Sequence, residues 1–60
     1  MAKIKIENLT QGAYDYKYIV FRIVEGKNWY WGAFDNVLRA SEACAELGSN
    51  ARIVETAHLI

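Results

Sequence analysis

Sixty residues carry seven Lys and Arg, seven Asp and Glu and one histidine, so the formal net charge is zero. A chain this short makes one domain that buries only about 60% of its unfolded surface, and with a single cysteine, Cys44, and a single histidine, His58, it can form neither a disulfide staple nor a Cys/His metal cluster. Neutrality gives no long-range attraction for polyanions and so argues against nucleic acid and anionic membranes, while an apolar fraction of 53% exceeds the usual range of about 45–50% and favours self-association.

The first predicted element is a half-buried strand from Lys3 to Glu7, in which Ile4 and Ile6 alternate with charged residues. Thr10, Gln11 and Gly12 then suit a turn over Asn8 to Ala13. Tyr14 to Glu25 is rich in β-branched and aromatic residues and predicts a long strand. Gly26-Lys27 predicts a two-residue hairpin loop of type II′, with Trp29 to Phe34 as the return strand. Asp35 or Asn36 can cap a helix whose inward stripe is Val37, Ala40, Cys44 and Leu47, with Arg39, Glu42 and Glu46 opposite. Gly48 is placed to end that helix in a left-handed conformation. A last strand is expected from Ala51 to about Leu59. The predicted fold is α+β, a two-layer β-β-β-α-β order with a four-stranded, mainly antiparallel sheet and one helix on one face. A right-handed crossover is expected if the last strand runs parallel to the third, but the pattern leaves open whether it lies beside the third strand or the first.

The hairpin register decides where the aromatic residues go. A Gly26-Lys27 loop pairs Val24 with Trp29 and Arg22 with Trp31, and directly paired residues share a face. Ile19, Phe21, Ile23, Tyr30, Gly32 and Phe34 then form one face, with Gly32 allowing close approach of the helix backbone. Tyr16, Tyr18, Val20, Arg22, Val24, Trp29 and Trp31 form the other, left open, together with Ala33. Aromatic side chains bury about 150–250 Å² each, so this open face exceeds the roughly 300–600 Å² of the largest apolar patch on an ordinary monomer. A three-residue, bulged loop is the alternative, which sends both tryptophans under the helix with Phe21 and Ile19 and leaves Tyr30 and Phe34 open.

Chemistry-bearing residues are sparse. His58 has no second histidine near it, and Glu55, three residues away in an expected strand, would lie on the opposite face. Cys44 falls on the helix's inward stripe, as a buried and unreactive thiol would. Asp35, Glu42, Glu46 and Glu55 form no carboxylate pair suited to acid–base work, and Arg39 is placed for a weak surface pair with Glu42. Gly26 and Gly32 belong to no phosphate-binding loop. No catalytic residue, metal ligand or cofactor motif emerges. Arg22 among Tyr18, Val20, Trp29 and Trp31 is the one suggestive constellation, either a guanidinium packed on indole or the aromatic-and-arginine mix of interface anchors.

These features predict a small non-enzymatic protein-interaction module. It is expected to form a homodimer and to bind and block or modulate a larger protein, as a phage or mobile-element inhibitor of a host defence system would. The other expectations are a small-ligand or nucleotide-binding protein and a single-stranded nucleic-acid binder that stacks bases on sheet aromatics. The sequence from Met1 to Ile6 lacks a signal-peptide core, and no apolar stretch reaches transmembrane length. With one free thiol, this predicts a cytoplasmic protein, in the host cytoplasm if phage-encoded, and a complete small gene product.

Overall fold

The computed structural model describes residues 4–59, so Lys3, where the first predicted strand begins, lies outside them. A 3-10 helix, Gln11–Asp15, leads into β1 (Tyr18–Val24), β2 (Lys27–Phe34), α1 (Val37–Leu47) and β3 (Ala51–Glu55), and a second 3-10 helix, Thr56–Leu59, follows. The sheet has three strands in the order β2-β1-β3, and both neighbours run antiparallel to β1. The α+β class and the single helix on a mainly antiparallel sheet match the sequence expectation.

Among the described residues, the expected fourth strand does not form. Residues 4–7 meet the sheet at one parallel bridge, Glu7 to Trp29, held by the Glu7 amide on the Asn28 carbonyl (2.7 Å) and the Tyr30 amide on the Glu7 carbonyl (3.0 Å). Asn8 then turns the chain away at a φ of 63°, a conformation that asparagine tolerates better than most residues. Tyr14 to Lys17 also fall outside β1, because the 3-10 helix buries Ala13 beneath the sheet and leaves Tyr14 and Tyr16 exposed. The last strand is shorter than expected. Thr56 leaves it, buried, with its amide on the Lys17 carbonyl (2.9 Å) and its hydroxyl donating to the Tyr16 carbonyl. The β3 strand pairs with β1, beside neither of the strands considered from sequence.

The helix also covers the face expected to stay open. Val20 packs with Ala40 and Ala43, joined by Tyr18, Phe34, Leu47 and Ile53. The face expected to carry the helix holds Ile19, Phe21 and Val54, and it is closed by Ile6, Leu9, Ala13 and Leu59 from the two chain ends. Alternation cannot choose between these faces, because β1 is apolar on both. The small alanines of α1 let its backbone settle close to Val20, and the bulkier Ile6 and Leu9 close the other side. On α1 the inward residues are Ala40, Ala43 and Leu47, while Cys44 is half-buried and Val37 is exposed. Asn36 is the cap and accepts the Leu38 amide at 2.7 Å. Gly48 ends the helix at φ 95°, ψ −161°, a positive-φ geometry that is extended, unlike the left-handed helical one expected, and open in practice only to glycine.

Candidate functional site

The hairpin tip sets up the site. Val24 pairs with Lys27, so the loop is Glu25-Gly26, one residue earlier than the sequence suggests. Both loop residues have positive φ, 52° and 79°, as a type I′ turn requires and type II′ does not. The shift moves the cross-strand partners between the loop and the bulge by two residues: Arg22 faces Trp29, where Trp31 was expected. A two-residue shift preserves side-chain parity, so Trp29 still shares a face with Arg22 and Val24.

Trp31 is the extra residue of a bulge. Phe21 pairs with Tyr30 and Val20 with Gly32, and nothing in β1 stands opposite Trp31. The bulge resolves a conflict within β2. Tyr30 and Ala33 pack against the Ile19 and Phe21 side, while Gly32 and Phe34 pair with the helix-covered residues Val20 and Tyr18. Trp31 stacks on Phe34 with ring centroids 6.3 Å apart and planes 17° from parallel. The space above Gly32 is taken by that same Phe34 ring, 3.3 Å from where a Cβ would stand, and not by the helix backbone.

The residues expected on one open face are thus divided. Val20 is fully buried and Tyr18 half-buried beneath α1. Tyr16 lies at the other end of the sheet, on a separate depression with Tyr14 and Glu55. Arg22, Val24, Trp29 and Trp31 remain together beyond the reach of α1, around an open groove of about 400 Å³ that Glu25, Lys27 and Tyr30 complete. Glu25 and Lys27 were missed from sequence because their position depends on the loop falling at Glu25-Gly26, and Tyr30 because it packs with Ile19 and Phe21 on the other face while still reaching the groove. Two cations, Arg22 and Lys27, face one carboxylate, Glu25, giving the groove a slight positive excess.

Burial by α1 changes the size of the exposed patch. Trp29 is 42% exposed, Trp31 44% and Val24 42%, which corresponds to roughly 250 Å² of open apolar surface on the usual side-chain areas. A stable interface takes about 800 Å² per partner, so this patch is the size of an anchor within an interface. Leu38, in the first turn of α1, is the most exposed large apolar side chain among the described residues at 68%, and no sequence pattern marked it out.

Elsewhere, Glu55 and His58 lie on one side, Oε2 to Nε2 3.8 Å, because the chain turns into the 3-10 helix and does not continue as a strand. Both side chains are largely exposed. Among the described residues, no three His, Cys, Asp or Glu side chains are grouped to hold a metal ion, and no helix is long and apolar enough to cross a membrane. No protein-family model, curated protein or solved structure shows significant similarity to the chain.

Proposed function

We propose that this protein is a non-catalytic binding module that grips a larger protein with the hairpin end of its sheet. One observation carries this: Trp29 and Trp31 stay nearly half exposed beside Arg22 and Val24, although the rest of their face is covered by α1. Tryptophan and arginine are the side chains most enriched in interface hot spots. The bulge holds Trp31 against Phe34, so little side-chain entropy remains to be lost on binding. A partner with an apolar prominence and an acidic rim fits the groove's two cations. Such a module acts by occlusion, as an inhibitor encoded by a phage or mobile element would in the host cytoplasm.

The test is a comparison of captures from source-cell lysate. Protein retained by the wild type and by an Arg39→Ala control, and lost from the Trp29→Ala, Trp31→Ala double variant, supports the proposal. Equal retention by all three contradicts it, provided circular dichroism shows the double variant folded.

The groove's volume favours one other occupant. About 400 Å³ falls within the roughly 300–1,000 Å³ of small-ligand sites, and indole beside guanidinium suits an anionic aromatic ring such as a nucleotide. Titration of tryptophan fluorescence with nucleotides separates the two: saturable quenching marks a ligand site, and an unchanged spectrum removes it.

A further inference from the structure

A second surface is built from backbone. The Thr56 amide donates to the Lys17 carbonyl (2.9 Å) and the Ile23 amide to the Asn50 carbonyl (2.7 Å). With the observed register, antiparallel alternation then turns the peptide groups of Arg52 and Val54 inward to Phe21 and Ile19. Those of Ala51, Ile53 and Glu55 turn outward, because β3 is the end of the sheet. Among the described residues, no backbone group meets the outward amides of Ile53 and Glu55. The opposite edge differs: Glu7 bridges Asn28 and Tyr30 of β2, and the bulge at Trp31 twists the strand beyond them.

We propose that the free edge of β3 pairs with β3 of a second copy, antiparallel and about a two-fold axis at Ile53, to give a sheet with three strands from each copy. Outward groups must meet outward groups, which limits the two-fold to Arg52, Ile53, Val54 or Glu55. A centre at Arg52 opposes two guanidinium groups, and one at Glu55 opposes two carboxylates. A centre at Val54 makes the two Glu55 side chains diagonal neighbours on one face. The centre at Ile53 sets Ile53 against Ile53, a favourable β-branched pair, and Ala51 against Glu55; its two Arg52 side chains are diagonal neighbours too, but each guanidinium is drawn back from the axis onto its own Ser49 and Ala51 carbonyls, at 2.7 and 2.8 Å. Each Ile53 then exchanges amide and carbonyl with its copy, and each Glu55 amide donates to the Ala51 carbonyl across the axis. That carbonyl already accepts from the Arg52 guanidinium at 2.8 Å, and its second lone pair stays free.

A second copy fits this edge because the contact closes. The paired sheet ends on the β2 edge at both sides, where Glu7 is already bonded, so growth stops at two. Zero net charge offers no repulsion between copies, and a domain of this size gains stability by association. The tryptophan groove lies on the hairpin and remains free in the dimer.

The test combines light scattering with residue-resolved hydrogen exchange between micromolar and millimolar protein. The dimer is expected to appear with concentration, together with at least about tenfold slower exchange of the Ile53 and Glu55 amides, while the inward amides of Arg52 and Val54 stay protected throughout. Glu55→Pro deletes one outward donor and none that reaches β1, so it should keep the fold and weaken dimerisation by about tenfold or more. A monomer at millimolar concentration overturns the proposal. So does a dimer whose Ile53 and Glu55 amides exchange freely. Association lost on Trp29→Ala but not on Glu55→Pro overturns it too, by moving self-contact to the groove.

Discussion

Glu25 occupies a position that suits it poorly. It holds φ 52° in the first loop position, where most side chains are strained but asparagine, whose short amide bonds locally to the backbone, is favoured. Its side chain is exposed, so no packing offsets the strain. Glu25→Asn should therefore stabilise the protein by about 0.5–1 kcal/mol, seen as a rise in thermal midpoint of several degrees. An unchanged or lower midpoint would mean that the turn is not of type I′. Glycine at position 26 was legible in the sequence as a turn residue. The loop's frame was not, because Glu25-Gly26 and Gly26-Lys27 both place the glycine at a positive φ, and only the strand pairing separates them.

The elements divide into those that local chemistry determines and those that tertiary packing decides. The capped helix, the hairpin and the central part of the last strand were legible from Asn36, Gly48 and the Ile53-Val54 pair, each of which acts within a few residues. The helix-bearing face was not, since Ile19, Phe21 and Ile23 look as suitable for it as Tyr18 and Val20. Nor was the strap formed by residues 4–15. Ile4 and Ile6 alternate like a strand, yet only Ile6 is buried, as a plug over Ile19 and Phe21. Of the proposed site, the tie between Trp29, Arg22 and Val24 was legible because parity survives a two-residue shift. The loss of Tyr18 and Val20 to α1 was not. Ile6→Ala should cost about 2–3 kcal/mol in urea denaturation, as a buried large-to-small change does. Trp29→Ala, at the exposed rim, should cost about 1 kcal/mol or less. Reversal of that order would place the strap outside the core and Trp29 inside it.

The whole molecule is a thin sheet padded on both faces, with apolar surface left at the hairpin end that α1 does not reach and that the strap meets only along the β2 edge at Glu7. The helix and the strap meet β1 from opposite sides, and the hairpin runs on past the helix to present Trp29 and Trp31. Stability in so small a domain rests on few buried side chains, so two exposed tryptophans and a strained loop residue beside them are a cost without a structural return in the monomer. The proposed binding at that end would supply the return. Photo-crosslinking in source cells tests this most directly, with a benzophenone side chain placed either at Lys27 on the groove rim or at Glu46 on the exposed side of α1. Binding through the hairpin end predicts a discrete protein adduct from position 27 that is absent from position 46. No adduct from position 27, or the same adducts from both positions, would contradict it.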